Sequence, residues 1–207
     1  MNVHSLPGFS MVNSKDNSLL DKRQLILNSA EHMIAKNGFQ GLSMNKLAQE
    51  AGVAAGTIYR YFQDKNDLVE AVRIHVLQRV ADMVQQGVEE HMPLKERFIL
   101  IWRNVAHVTT TQNEVDVILN RIQYESLPTR PSCGSEMERK LFHKIEAMFN
   151  EGKALGVFKP LDNHLLASLS LDVCLSIARK HVLGCYIITD TALDSAIEAS
   201  WDAVIQH

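Results

Sequence analysis

Between Thr57 and Lys65 the run TIYRYFQDK places three hydroxyls and two cations within nine residues: Thr57, Tyr59, Arg60, Tyr61 and Lys65. Hydroxyl donors and fixed cations, crowded together, suit a polyphosphate surface: the O–H groups bond to phosphate oxygens and the cations displace condensed counterions. Other chemistry finds little support. The chain contains no P-loop, G-x-S-x-G, G-x-G-x-x-G or H-E-x-x-H pattern, and its Ser, His and Asp residues are scattered without catalytic spacing. None of the nine histidines lies three to five positions from another, and Cys133, Cys174 and Cys185 form no C-x-x-C pair. No catalytic residue, metal site, cofactor or disulfide framework is therefore expected.

The crowded run needs elements to hold it. Ile26, Ala30, Met33 and Ile34 lie on one face of a helix that starts near Leu19, and Asn37-Gly38 supplies its left-handed stop. Ser43 is placed to cap a second helix, Met44 to Ala51, with Leu42 packing on Leu47 as a hydrophobic staple. Gly52 ends it, and a two-turn third helix follows over Ala54 to Tyr61. Asp64, with Asp67 as reciprocal partner, caps a fourth helix that keeps an apolar stripe from Leu68 to Val88 and would be about 36 Å long in all at 1.5 Å per residue.

Two short helices joined by a glycine turn make a helix-turn-helix, whose second helix faces a DNA major groove. With Val53, Ile58 and Phe62 inward, the outer face carries Ala55, Gly56, Tyr59 and, at its edge, Arg60. Ala55 and Gly56 are small enough to admit the DNA backbone. Thr57, Tyr59 and Tyr61 offer hydroxyls to phosphates, while Arg60 or Tyr59 reaches toward base edges. Lys65 stands at the amino end of the fourth helix, where N–H groups and the helix dipole favour an anion. Ser43 and Asn45 stand similarly on the second helix, and Lys46, Lys22 and Arg23 extend the positive rim.

The run ILNSAEHMIAKNGFQGLSMNKLAQEAGVAAGTIYRYFQDKNDL resembles the DNA-binding domain of the tetracycline-repressor (TetR) family. The matching residues are Ala30, Gly38-Phe39, Leu47-Ala48, Ala51-Gly52-Val53, Gly56-Thr57, Tyr59, Tyr61-Phe62, Lys65 and Leu68. They cover about the first third of the chain. One position departs: Ala54 stands where the family commonly starts its recognition helix with Ser or Thr, which removes a cap worth ~1 kcal/mol. The resemblance implies a homodimer, an effector pocket in the remaining helices, and release of DNA when a small molecule binds.

Composition agrees with a folded helical protein: 46% hydrophobic, 22% charged and 6% aromatic residues over a length that can bury a core. The net charge of −3 is uneven, with seven basic against five acidic residues in 1–65 and fourteen against nineteen beyond. No apolar run reaches the ~18 residues of a membrane span and the first eighteen residues lack a signal-peptide pattern, so a cytoplasmic protein with no membrane partner is expected. Further helices are read from Pro93 to about Val108, with a break at Thr109–Asn113, then over Glu114–Glu125, Ser135–Leu155, Asn163–Leu183 and Thr191–Ile205, the last capped by Thr191 and Asp194.

The expected fold is thus all-α with about nine helices: a disordered tail over 1–18, the helix-turn-helix over 19–65, and a helical effector-binding and dimerisation domain over 66–207. The last two helices carry apolar residues on more than one side, which suits pairing with their copies across a two-fold axis. Phe98, Trp102, His107, Tyr124, Phe142, Met148, Phe149 and Cys174 are the candidates to line a cavity. The expected partners are a duplex operator, a second copy of the chain and a small-molecule effector. The rival reading is an adaptor of the same fold that binds a protein in place of DNA.

Overall fold

The computed structural model describes residues 14–111 and 136–207, with side chains from residue 22 onward. Among the described residues there are nine helices: α1 (Ser14–Gly41), α2 (Met44–Glu50), α3 (Ala55–Tyr61), α4 (Lys65–Val84), α5 (Leu94–Thr111), α6 (Glu136–Leu141), α7 (His143–Ala154), α8 (Asn163–Val182) and α9 (Asp190–Val204). They contain no strand, only an isolated antiparallel bridge between Phe158 and Ile205. The chain is all-α, and two compact units divide within α4, between Val72 and Arg73.

In the first unit, the apolar faces of α1 to α4 close on a core that includes Ile26, Ile34, Leu47, Ile58, Phe62 and Leu68, each at most 1% exposed. Gly38, at φ 71° and ψ 177°, breaks the helical path near the end of α1 where the asparagine–glycine pair predicts a stop. The turn between α2 and α3 is a Schellman closure. Gly52 takes φ 65°, its N–H bonds to the Gln49 carbonyl at 3.3 Å, and the Val53 N–H bonds to the Ala48 carbonyl at 3.0 Å. A left-handed residue there redirects the chain without leaving the α2 carbonyls unsatisfied.

The second unit is built around aromatic contacts. Trp201 meets Phe98 and Phe158 edge-on with ring centroids 5.2 and 5.3 Å apart, and Phe158 meets Phe149 at 5.5 Å. Gly152 admits that cluster, because a Cβ there would lie 2.0 Å from the Phe158 ring. Backbone bonds from Lys159 to Val204 and from Gln206 to Val157, both 2.9 Å, fasten the end of α9 to the turn after α7.

Several element ends differ from the sequence expectation, each for a visible reason. Helix α1 starts at Ser14, so part of the 1–18 tail is helical; residues 1–13 lie outside the described residues. Helix α4 stops at Val84 instead of running to Val88, because Gly87 takes φ 73° and turns Val88 into the core. Asn104 then caps the freed carbonyls of Val84 and Gln86 at 3.1 and 3.0 Å. Helix α5 continues through Thr111, with Thr109, Thr110 and Thr111 each turning the hydroxyl back onto the carbonyl four residues earlier, where it does not compete for the N–H groups that a break would need. The cap of α9 is Thr189, which accepts from the Ala192 N–H, and not the expected Thr191–Asp194 pair. The helix expected over Glu114–Glu125 and the Pro128–Pro131 loop fall outside the described residues.

The expected single helix over Ser135–Leu155 is two, broken at Phe142. Buried Gln85 spans the break: its amide nitrogen donates to the Leu141 carbonyl at 2.9 Å and its amide oxygen accepts from the Lys144 N–H at 2.8 Å. A distant side chain thus satisfies both backbone groups that a continuous helix would have paired internally.

Candidate nucleic-acid interface

The recognition surface is set by what α3 hides. Ile58 and Phe62 are buried and Val53 half-buried, which turns Gly56, Tyr59 and Arg60 outward; Tyr59 is 56% exposed. Ala55, Thr57 and Tyr61 flank them, half-buried, with the Tyr61 ring tilted against Phe62 at 6.4 Å. Gly56 is informative. It lies within a helix without a positive φ, and a Cβ added to it would meet no protein atom within 4 Å. Nothing inside the chain asks for glycine there, although glycine costs an exposed helix about 0.5–1 kcal/mol relative to alanine. Gly56 therefore leaves this part of the α3 face open to a body approaching from outside.

The cations around α3 are held by aromatic faces. Lys65 Nζ sits 4.1 Å from the Phe39 ring centroid, and the Arg23 guanidinium carbon 5.4 Å from that of Phe62. Partial burial lowers the Lys65 pKa from its ordinary value. A lysine at the first residue of a helix opposes the helix dipole, so the dipole does not account for its position. The N–H groups expected to stay open there are taken: Asp64 Oδ1 accepts from Asn66 and Asp67 at 2.8 and 2.9 Å. Asp67 reaches back to the Gln63 N–H at 2.8 Å, one residue earlier than the reciprocal partner expected from the sequence. What the start of α4 presents is therefore the Lys65 side chain and not open N–H groups. At α2 the opposite holds, since Ser43 occupies the cap position with its hydroxyl unspent on capping, next to exposed Asn45 and Lys46.

A cavity of about 830 Å³ opens in the second unit, within the size range of small-molecule sites. Its apolar walls include Leu77, Val80 and Val84 of α4, Val105 of α5, and Leu171 and Leu175 of α8. Of the sequence candidates, Phe142 and Phe149 line it. Phe98, Trp102, Met148 and Cys174 are packed in the core, His107 is exposed, and Tyr124 lies outside the described residues. Cys174 bonds to the Trp102 carbonyl at 3.4 Å, and burial pushes its thiol up to about 12.

Comparison with known proteins gives these shapes a family. Residues 26–72 match the model of bacterial regulatory proteins of the tetR family, and residues 93–205 match the tetracyclin repressor-like C-terminal domain. This chain belongs to the TetR family. A transcriptional regulator of the family from Vibrio parahaemolyticus is 54% identical over 90% of this chain and all of its own, with a TM-score of 0.82. A TetR-family regulator structure from Haemophilus influenzae is 28% identical, covers 91% of this chain and 99% of its own, and gives 0.76. A curated relative from the same organism, an uncharacterized HTH-type transcriptional regulator, is 28% identical over 89% of this chain and 96% of its own length.

For this TetR-family chain, the departure at Ala54 is real in structure as well as in sequence. Ala54 holds the extended cap conformation of α3 with no side-chain bond, and only its carbonyl engages, accepting from the Thr57 N–H at 2.8 Å. Sequence reasoning missed most of the cavity wall because it favoured aromatics. In a helical unit the large rings fill the centre, and a cavity is bounded by the aliphatic residues one turn away from them.

Proposed function

We propose that this TetR-family regulator is a repressor that binds a palindromic operator as a homodimer and leaves it when a small molecule enters the cavity of the second unit. The observation that carries the DNA reading is the outer face of α3. An exposed tyrosine and arginine stand beside a glycine that no protein contact requires, with Lys65 held nearby on Phe39. In this reading Gly56 and Ala55 admit the sugar–phosphate backbone. Ser43, Asn45, Lys46, Thr57, Tyr61 and Lys65 fix the register on phosphates, and Tyr59 and Arg60 address base edges. A regulator of chromosomal DNA acts where that DNA lies, in the cytoplasm; among the described residues no helix is long and apolar enough to cross a membrane.

The dimer reading is supported by α8 and α9. Leu165, Leu169 and Val173 form an outward stripe on α8, 40–45% exposed in the single chain, while Ser195 and Ala199 leave α9 with a small outer face. Paired across a two-fold axis, these helices make a four-helix contact, and two reading helices about one DNA turn apart, ~34 Å or a multiple, select an inverted repeat. Release follows if the effector favours a dimer geometry that operator DNA does not. The test is selection of bound fragments from the source genome followed by footprinting. The reading predicts a protected inverted repeat with half-sites separated by whole helical turns. Recovery of no preferred sequence would refute it.

A further inference from the structure

The cavity of the second unit has an apolar middle, and the state of the charges around that middle decides what it can hold. On α8 the lining positions Ala167, Leu171 and Leu175 follow one another every four residues, roughly 12 Å at 1.5 Å per residue. Val80 and Val84 from α4, Val105 from α5 and Ile145 and Phe149 from α7 complete the middle. Thr109 brings a hydroxyl to the wall, but it is buried with its hydrogen already given to the Val105 carbonyl at 2.8 Å.

The charged groups of the lining are either exposed or already engaged. Arg139, Asp162, His164, Asp172 and Arg179 are exposed, so their charges stay hydrated and screened by salt. Arg179 is engaged within the protein as well, and Asp162 caps α8 through the His164 N–H at 2.8 Å.

The half-buried charges are of both signs. Glu138 is held by Arg73, whose Nη1 lies 2.6 Å from Oε1, with both side chains less than a fifth exposed. Toward the amino end of α8 the lining holds Glu146 and Lys153. Glu146 Oε2 accepts from Asn163 Nδ2 at 2.7 Å, and Lys153 Nζ donates to the Leu161 carbonyl at 3.2 Å. A charged head drawn into this chamber gives up its water. The half-buried groups that it reaches are of either sign and already bonded, so neither an anion nor a cation recovers that loss. An uncharged molecule suffers no such loss and gains from each apolar group that it buries.

We propose that the cavity takes an uncharged, predominantly apolar molecule seated along Ala167, Leu171 and Leu175, and discriminates against anions and cations of the same skeleton. The inference rests on the reading of this cavity as the effector site and adds the ligand class.

The experiment titrates decanol, decanoate and decyltrimethylammonium calorimetrically into the full-length protein at pH 8, each below its micelle concentration. The expected result is one decanol site per chain, with decanol bound at least about tenfold more tightly than either ion. Affinity should rise about fourfold for each methylene added between hexanol and decanol. Ala167→Phe, which puts a ring into the apolar middle, should weaken decanol by at least about fivefold while circular dichroism shows the helices intact. Leu175→Phe serves the same purpose if the first variant misfolds. Arg139→Gln, a change on the exposed rim, should leave decanol affinity within about twofold. Either ion bound as tightly as decanol, no binding of decanol, or decanol binding indifferent to the added ring overturns the proposal. Release of operator DNA by decanol is followed in parallel: binding without release would count against the effector reading and leave the ligand class standing.

Discussion

At the residue scale, the sharpest expectation concerns Gly56. Because its added Cβ would find open space within the chain, Gly56→Ala should raise fold stability by about 0.5–1 kcal/mol while weakening DNA binding. Thermal melts and operator titrations of the same variant check both signs; a stabilised variant with undiminished affinity would remove Gly56 from the contact surface. The cysteines give an independent check on the second unit. Cys174 is fully buried with its thiol raised to about 12, and Cys185 is exposed. Iodoacetamide at pH 8 should label Cys185 in the native protein and spare Cys174, as read by peptide mass spectrometry. Rapid labelling of Cys174 would mean that the core opens readily. Among the candidate site residues, the outward placement of Tyr59 and Arg60 was legible from the sequence because it follows from helical spacing. The unspent Ser43 hydroxyl was not, since it depends on which local partner wins, whereas the Asp64 cap that occupies N–H groups of α4 follows from its place before the helix.

At the element scale, helices were readable wherever a local signal set their limits: Gly38, Gly52, Gly156 and Gly184 all take φ near 70° at or close to a helix end. Signals from far away in sequence were invisible. The break at Phe142 has no glycine or proline beside it, and it exists because Gln85 from the end of α4 satisfies both severed backbone groups. Gln85→Leu should therefore destabilise the protein by about 1–3 kcal/mol, with two buried backbone groups left unpaired. Hydrogen exchange should quicken first around Lys144. If exchange there stayed at its native rate, the clasp would contribute nothing to the break. The cavity followed the same rule, as its aliphatic wall is assembled from helices α4, α5, α7 and α8 whose pairing the sequence pattern alone does not specify.

At the scale of the whole molecule, α4 belongs to both stories: Lys65 is its first residue, and Leu77, Val80 and Val84 stand in the cavity wall. In the proposed release of DNA by a ligand of that cavity, reciprocity requires operator DNA to weaken ligand binding by the same factor. Assembly matters equally. Leu169→Glu, a charge placed in the exposed α8 stripe, should yield monomers by analytical ultracentrifugation and reduce operator affinity by orders of magnitude. A variant that stays dimeric would move the two-fold contact elsewhere.

The central claim is that the face made by α2, α3 and the start of α4 binds duplex phosphates. It is tested most directly by operator affinity measured between 50 and 200 mM salt for the native chain and Lys65→Ala. A straight log–log decline is predicted, with a slope of about −0.9 for each phosphate contact, and a slope shallower by about 1 in the variant. Affinity that does not change across that range would contradict the account.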